Sequence, residues 1–458
     1  MKLDMTSDVV RRTNFSLWLY SFLVVMITAG SWIFYWLHTD FYTRPLYAKY
    51  DQFRDLTNYV GKVSHLRGSA GILGQGLPIF TYPAPAAFVY RVLLSAGPGY
   101  LLAPLIALMA VCVVGLAIAT WRAGHARAES KASLATAILI TALLGYPLWF
   151  TIDRGNIEGV VWALSAVGLC FLLRAKYRTA AVLIGIAASI KPFPVLFLLL
   201  LLRARRYKEA ALAVATAGCV TLAALTILGP NPWKAYQALK PGVTAYMADY
   251  ITNLVQIDQL RFSHSLLDGM KTAALVIKSG TLHSAAVAIE DVQLRAEPGG
   301  WHVAGELAKF YPLVAIPGFC LLLAVFYKLP RLNQLTALAV AVTLFPLSAA
   351  DYTLLYLYVP FGALLVFLTR EVARGKVAFS YHSALAFAVI YALLFAPLSF
   401  LTIYAGVAKL VLLIALLLVA ARSPMHSAYF GEQMASPKPS LSGENERSGE
   451  GRGQFLPV

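Results

Sequence analysis

The sequence predicts an all-α polytopic membrane protein with about ten transmembrane helices, and three observations support this fold class. First, 59% of the 458 residues are hydrophobic and only 13% are charged. Second, apolar runs of about 18 residues or more recur along the chain, and each can cross a ~30 Å hydrocarbon core. Third, the basic residues behind the net charge of +16 cluster at the ends of those runs, as in cytoplasmic loops. This clustering argues against nucleic acid as a partner and for membrane lipids.

The first span is predicted to be an uncleaved helix over 15–37, because this run is longer than a signal-peptide core and lacks an A-x-A site. Further spans are predicted near residues 99–121, 132–150, 156–173, 208–228, 308–327, 332–349, 352–369, 383–401 and 405–421. The basic clusters place both termini in the cytoplasm, with the protein in an inner or plasma membrane. The Ser, Gly, Pro and Glu content after the last span predicts a membrane domain over 1–421 and a disordered cytoplasmic tail over 422–458.

Residues 179–202 form an apolar segment that does not fit a simple crossing. Basic clusters flank it at 174–178 and 203–208, so a crossing would leave one cluster outside the cytoplasm. A Lys-Pro-Phe-Pro break interrupts it at 191–194, and two half-helices of about 11 residues would rise ~17 Å each. We therefore expect a re-entrant hairpin that returns to the cytoplasmic side, with Lys191 at its tip.

The loop after the first span contains an amphipathic stretch, FRDLTNYVGKVSHL, at residues 53–66. Its apolar residues recur at helical spacing, so we expect an interfacial helix whose polar stripe faces water or a substrate. Asp51 and Asp55 are neighbours on that stripe, and two close carboxylates at a low-dielectric surface favour protonation of one of them. Such a carboxylate can act as a general base near neutral pH. The alternative is a solvated acidic stripe that only orients the helix.

Four more polar residues stand out on the side opposite the basic clusters. Lys191 lies in an apolar segment, so it is either a functional residue or the structural partner of a buried carboxylate. Arg154, in the turn after the third span, is either a ligand or an interfacial anchor. His264 lies in the long loop 229–307, where a lone histidine is more often incidental. Asp351 begins a span and is expected to line a cavity or to cap that helix.

Several short motifs follow one another in an order known from one enzyme family. They are DLTNY at 55–59, FTYPAP at 80–85, GN at 155–156, Gly185 with AASIKP at 187–192, and SHSL at 263–266. This series resembles the D-L-x-x-Y, F-x-Y-P-P, G-Q-x-N, G-x-A-A-x-x-K-P and N-Q-S-L motifs of glycosyltransferase family 87. The members of that family are GT-C-type membrane enzymes that resemble polyprenol-phosphate-mannose-dependent mannosyltransferases.

The chain departs from the family pattern at three motifs. YPAP replaces YPP, the Gln before Asn156 is absent, and His264 stands where Asn or Gln is usual. These departures bear on the sugar and the acceptor more than on the class of reaction. The prolines after Tyr82 are expected chiefly to shape the start of a short helix over 83–96.

The resemblance implies transfer of a hexose, foremost mannose, from a polyprenyl-phosphate sugar to a hydroxyl of a glycan or glycolipid acceptor on the non-cytoplasmic face. Asp55 is the expected general base, and Asp40, directly after the first span, is the competing acid. Lys191 and Arg154 are expected to stabilise the departing phosphate. The other expected substrate-binding residues are Asp51, Tyr59, Tyr82, Asn156 and His264. The lipid-linked donor is the expected partner without a further cofactor, and no metal site is expected because no D-x-D triplet occurs.

Two other functions are compatible with a polytopic chain. A transporter or flippase of lipid-linked sugars would also use a broken helix near the midplane, as at Lys191. Against transport, no second broken helix or inverted repeat is evident, and the acids lie in loops longer than a compact transporter needs. A non-catalytic scaffold of a cell-envelope assembly is the third class. Glycosyl transfer that is lost on Asp55→Asn separates the enzyme from both.

Overall fold

The computed structural model describes residues 2–38, 45–46, 53, 55–57, 82–95, 102–124, 128–229, 231–245, 257–279, 302–375, 377 and 379–430. Within these residues the regular elements are helices, apart from one isolated bridge between Ser263 and Ala350. Seven helical stretches of the described residues are long and apolar enough to cross a membrane, and two of them, 130–154 and 351–372, each join consecutive helices. The predicted all-α polytopic fold is confirmed, whereas the count of ten spans stays a prediction.

The helices of the first half follow the predicted spans closely. They are α1 Lys2–His38, α2 Ala84–Ser95, α3 Leu102–Gly124, α4 Ala128–Leu144, α5 Tyr146–Arg154, α6 Glu158–Leu173, α7 Tyr177–Ile190, α8 Leu198–Arg203 and α9 Tyr207–Leu228. A 3₁₀ helix, Phe193–Phe197, joins α7 to α8. Helix α2 is the short helix predicted over 83–96.

The second half adds further α-helices and three 3₁₀ helices, the last of which is Ala428–Phe430. The helices are α10 Pro232–Ala245, α11 Ile257–Phe262, α12 Leu266–Ser279, α13 His302–Phe326, α14 Arg331–Leu344, α15 Tyr358–Phe367, α16 Tyr381–Phe395 and α17 Ala405–Arg422. The 3₁₀ helices Asp351–Leu357 and Ser399–Tyr404 lead into α15 and α17. Helices α10, α11 and α12 lie in the predicted long loop 229–307, and they are not predicted because none of them is a long apolar run.

The span predicted over 132–150 is divided into α4 and α5 at Gly145. A Cβ at this position would collide with the hydroxyl of Tyr358 and with the carbonyl of Thr141, so the close approach requires glycine. Pro147 in the first turn of α5 favours a new helix there, because a proline near a helix start removes only an N–H that has no helical partner. The break makes α5 a separate short helix that ends at Arg154.

The segment 177–203 doubles back as a hairpin, as predicted. Helix α7 ends where Lys191 takes an extended conformation before Pro192. Tyr177 and Arg203, from the two ends of the hairpin, line one cavity of about 140 Å³. The guanidinium of Arg206 lies 4.6 Å from the centre of the Tyr177 ring. The two basic ends therefore lie together, and Lys191 lies at the opposite end of the hairpin.

The centre of the bundle is the segment Asp351–Val372, where 94% of the residues in an 18-residue apolar stretch are buried. Its residues are almost continuously apolar, so they pack on every side against other helices rather than along one stripe. Buried aromatic rings, such as Phe361 against Tyr20 and Tyr391, fill the space around α15. The 3₁₀ helix at the start of this segment carries polar residues into the bundle, and these take part in the site.

The residues directly after α17 are packed against the bundle, although the sequence predicts disorder from 422. Asn333 donates to the carbonyls of Ala420 and Ser423 and accepts from the N–H of Met425 at 2.7 Å. Met425 and Phe430 are buried. A polar side chain of α14 thus satisfies carbonyl groups at the end of α17 and holds the residues that follow it on the bundle. Residues 431–458 lie outside the described residues.

Candidate active site

Asp55 is held by two side chains from the turn between α5 and α6. Arg154 donates to both carboxylate oxygens, with distances of 2.5 Å from Nη2 and 3.3 Å from Nε. The Nδ2 of Asn156 donates to Oδ2 at 2.7 Å. A guanidinium that contacts both oxygens fixes the plane of a carboxylate as well as its position. The carboxylate is therefore oriented before any substrate arrives.

The turn 153–156 explains why these side chains converge. Gly155 adopts φ +60°, and a Cβ on it would lie 2.7 Å from Cβ of Leu56. The N–H of Phe53 donates to the carbonyl of Asp153 at 2.7 Å. Glycine tolerates both the left-handed conformation and this close approach, because it has no Cβ. The segment that carries Asp55 can therefore lie directly on the turn.

Asn156 links the turn to helix α6. Its Oδ1 accepts from the N–H of Glu158 at 2.8 Å, so it caps the start of the helix. The same oxygen lies 3.3 Å from Nζ of Lys191. With its oxygen engaged in this way, the amide must present its NH₂ group to Asp55.

Lys191 forms a buried ion pair with Glu158. Its Nζ lies 2.6 Å from Oε2 of Glu158, and the hydroxyl of Tyr356 donates to Oε1 at 2.5 Å. The ammonium lies 5.2 Å from the ring centre of Tyr82 and 5.0 Å from that of Tyr352, within cation–π range. We call Asp55, Arg154, Asn156, Glu158 and Lys191 the Asp55 cluster.

Solvent reaches the two halves of the Asp55 cluster to different extents. The side chains of Asp55 and Arg154 are each 16% exposed, whereas those of Lys191 and Glu158 are 8% and 1% exposed. A ligand can therefore reach Asp55 and Arg154 from solvent, whereas Lys191 and Glu158 are almost completely covered by protein. The whole cluster lies at the opposite end of α6 from Arg174, the first residue of a basic loop.

His264 lies outside this cluster, in a second group of buried charges. Asp351 is paired with Lys409, whose Nζ is 2.5 Å from Oδ2, and it also accepts from the hydroxyl of Tyr146 at 2.9 Å. Nδ1 of His264 lies 3.5 Å from Oδ1 of Asp351, and Nε2 is 3.0 Å from Oγ1 of Thr353. Burial lowers the pKa of His264 below its ordinary value of 6.5, although the carboxylate of Asp351 acts in the opposite direction. We call Asp351, Lys409, His264 and Tyr146 the Asp351 cluster.

The structure thus brings together five of the residues that the sequence singles out: Asp55, Tyr82, Arg154, Asn156 and Lys191. Asp40, Asp51 and Tyr59 lie outside the described residues, as does most of the amphipathic stretch 53–66. The described positions 55–57 are helical, and Leu56 is buried. Among the described residues, no group of three or more His, Cys, Asp or Glu side chains is placed to hold a metal ion.

Three residues of the site are absent from the prediction: Glu158, Tyr352 and Tyr356. Glu158 has a detectable signal, because it is the one acid in the apolar span 156–173 and an acid there needs a partner. The two tyrosines have no comparable signal, since aromatic residues in a span usually belong to the core. Lys409, in an apolar span near the end of the chain, has the same signal as Lys191.

The fold and the Asp55 cluster define an integral-membrane protein with a polar, partly open site at one end of a helical bundle. The family model of glycosyltransferase family 87 matches residues 80–349, which is more than half of the chain, and the chain belongs to this family. It is therefore a membrane glycosyltransferase. No curated protein and no solved structure matches the chain.

The matched range covers most of the site. Tyr82, Arg154, Asn156, Lys191 and His264 all fall within it. Asp55 precedes the matched range, so its place in the site depends on its contacts with Arg154 and Asn156. The family suggested by the short motifs is confirmed.

Proposed function

We propose that this glycosyltransferase moves a hexose, mannose in the first instance, from a polyprenyl-phosphate donor to an acceptor hydroxyl, with Asp55 as the general base. The acceptor is a glycan or glycolipid. The observation that carries the proposal is the partly exposed carboxylate of Asp55, oriented by Arg154 and Asn156 beside a second cation. An oriented carboxylate next to cations matches the two requirements of transfer from a phosphate leaving group.

In the proposed reaction, the carboxylate of Asp55 takes the proton of the acceptor hydroxyl. The hydroxyl oxygen forms a bond to the anomeric carbon of the sugar while the bond from that carbon to the phosphate oxygen breaks. The bonding electrons leave with the polyprenyl phosphate, and the anomeric centre inverts because the hydroxyl attacks from the face opposite the phosphate. A general base in this position contributes typically about 10²- to 10⁴-fold to the rate.

Arg154 is the first candidate for the leaving phosphate. Its guanidinium is partly exposed, and its planar fork suits two phosphate oxygens as well as it suits a carboxylate. Binding of the phosphate to Arg154 would loosen its contact with Asp55. The base would then be released when the donor is in place.

Lys191 is the second candidate cation. It has the buried carboxylate partner that a purely structural lysine would have, Glu158. It also lies 3.3 Å from Asn156, which contacts Asp55, so its charge acts close to the reacting groups. We assign to it the stabilisation of negative charge that develops on the phosphate.

Two features support a site on the non-cytoplasmic face. The Asp55 cluster and the basic residues Arg174 and Lys176 lie at opposite ends of the span that contains α6. The basic ends of the hairpin, with Arg203 and Arg206, join them on that other side. Since basic loops stay in the cytoplasm, the cluster would face away from it.

The test is sugar transfer by membranes that contain single variants of the acids. Asp55→Asn should lower transfer from a labelled polyprenyl-phosphate hexose at least about 100-fold, because the base is lost. Asp55→Glu keeps the charge and the pairing with Arg154 but moves the oxygens by one methylene, so it separates catalysis from folding. Asp8→Asn is the matched control, since Asp8 forms an exposed ion pair with Arg12 within α1.

The outcomes separate the candidate acids and the candidate functions. Normal transfer in Asp55→Asn, with loss in Asp40→Asn, would assign the base to Asp40. Normal transfer in Asp40→Asn, Asp51→Asn and Asp55→Asn would overturn the mechanism. Movement of the lipid-linked sugar across the membrane without transfer would support a flippase instead.

A further inference from the structure

The Asp351 cluster is a set of buried charges that the proposed reaction does not use. Asp351 and His264 are 0% exposed and Lys409 is 1% exposed. A buried ion pair contributes little net stability compared with apolar residues of the same size, whereas the loss of one partner is costly. A buried ion pair in a membrane bundle therefore indicates a role other than stability.

The cluster is connected to the Asp55 cluster by the 3₁₀ helix Asp351–Leu357. Asp351 is the first residue of this helix, and the next residue, Tyr352, places its ring 5.0 Å from Nζ of Lys191. Tyr356, in the same helix, donates to the carboxylate of Glu158 at 2.5 Å. The same short helix therefore contacts both members of the Lys191–Glu158 pair. Its first residue, Asp351, is itself paired with Lys409.

A 3₁₀ helix of seven residues has weak stability of its own, because its hydrogen bonds are poorly aligned and its side chains crowd. Its position must come from tertiary contacts. Lys409 reaches Asp351 from α17, and Tyr146 reaches it from the first residue of α5. The start of the 3₁₀ helix is therefore tied to two separate helices through a single carboxylate.

We propose that the Asp351–Lys409 pair is a positioning element for the donor phosphate. It holds the 3₁₀ helix so that Tyr352 and Tyr356 keep Lys191 and Glu158 in place. Asp351 and Lys409 act through these two tyrosines and do not touch the substrate. The proposal rests on the proposed role of Lys191 and names residues that control it from a distance.

The test is a double-mutant cycle on the binding of polyprenyl phosphate, the product that the proposed reaction leaves in the site. Binding to the purified full chain in detergent is measured by titration. Lys191→Met and Lys409→Met should each raise the Kd about tenfold, which corresponds to ~1.4 kcal/mol. The double variant should bind no more weakly than Lys191→Met alone, because Lys409 acts through Lys191.

Two further variants separate positioning from folding. Lys409→Arg keeps the charge and should restore most of the affinity. Lys409→Met combined with Asp351→Asn removes both charges, so it should recover thermal stability while the Kd stays raised. Asn333→Leu is the control, since the buried amide of Asn333 bonds Ala420 and Ser423 at the opposite end of α17 from Lys409. It should lower stability and leave the Kd unchanged.

Three results would overturn the proposal. The first is an unchanged Kd in Lys409→Met, and the second is a double variant whose loss equals the product of the two single losses. The third is full recovery of affinity in the variant without either charge, which would reduce the pair to charge balance. Failure of the wild-type chain to bind polyprenyl phosphate would instead refute the proposed donor, and the positioning role would fall with it.

Discussion

The two clusters of charges share helix α5 and the 3₁₀ helix Asp351–Leu357, yet they differ in their access to solvent. The pair of Asp55 and Arg154 is 16% exposed on each side chain, whereas Asp351 and Lys409 are 0% and 2% exposed. Tyr146 at the start of α5 belongs to the buried cluster, and Arg154 at its end belongs to the open one. One nine-residue helix therefore carries a contact to each.

The difference decides what each pair can do. A partly exposed ion pair contributes little to stability, so a substrate can replace one of its partners at small cost. A fully buried pair cannot exchange partners, because a charge left alone in the interior is strongly destabilising. The open pair therefore suits chemistry and the closed pair suits positioning.

The largest loss of stability is expected for Asp351→Asn. This change leaves the ammonium of Lys409 buried without its anion, and loss of one partner of a buried pair costs about 3–5 kcal/mol. Unfolding in mixed detergent measures the loss. A variant as stable as the wild-type chain would contradict the assignment of Asp351 and Lys409 as a buried, ionised pair.

A smaller loss is expected for Gly155→Ala. The left-handed backbone costs about 1–3 kcal/mol for a residue with a side chain, and the added Cβ would meet Leu56 at 2.7 Å. The collision displaces the segment with Asp55, so transfer should fall as well. Gly375→Ala is the matched control, because Gly375 has φ +68° with open space around it. It should lose similar stability and keep full transfer; equal transfer in both variants would contradict the close packing of Asp55 on the turn.

The pH dependence of stability tests the burial of His264. Burial lowers the pKa of His264 in the folded chain, so below pH 6.5 the unfolded chain binds a proton that the folded chain does not. Stability should therefore fall as the pH drops below about 6.5, by at most ~1.4 kcal/mol per pH unit, and level off below the folded pKa. His264→Gln should remove this component of the pH dependence. A wild-type curve that matches the variant from pH 7.5 to 5 would contradict the assignment.

The smallest loss of stability is expected for Arg154→Gln, although its loss of activity is large. A partly exposed ion pair contributes about 0.2–1 kcal/mol, so the unfolding curve should move little. Transfer should fall at least about tenfold, because a cation for the phosphate is missing. If stability falls by as much as in Asp351→Asn while the donor is still used normally, Arg154 is a structural anchor.

The sequence predicts the Asp55 cluster better than the Asp351 cluster, for a physical reason. Asp55, Arg154 and Asn156 come from loop motifs in which polar residues among apolar spans are conspicuous. The hairpin is predictable because its two basic ends exclude a simple crossing. The partners of buried charges are not predictable in this way, because they depend on which helices meet in the fold. Lys409 and Asp351 are 58 residues apart, and the contact exists only once α17 packs beside the central segment.

The same limit applies to residues 422–430 at the carboxyl end. Composition after residue 421 resembles a flexible tail, yet Asn333 on α14 provides hydrogen bonds for residues 420–425. A single amide from a distant helix replaces the caps that the local sequence lacks. Local composition thus predicts the start of disorder only where no such partner is near.

In the proposed mechanism, Asp55 acts in the chemical step rather than in folding or in binding of the donor. One paired measurement on Asp55→Asn tests it most directly: the rate of hexose transfer at saturating donor and the Kd of polyprenyl phosphate. Transfer should fall at least about 100-fold while the Kd of polyprenyl phosphate is not raised. Transfer at the wild-type rate, with or without a raised Kd, would contradict a role of Asp55 in the chemical step.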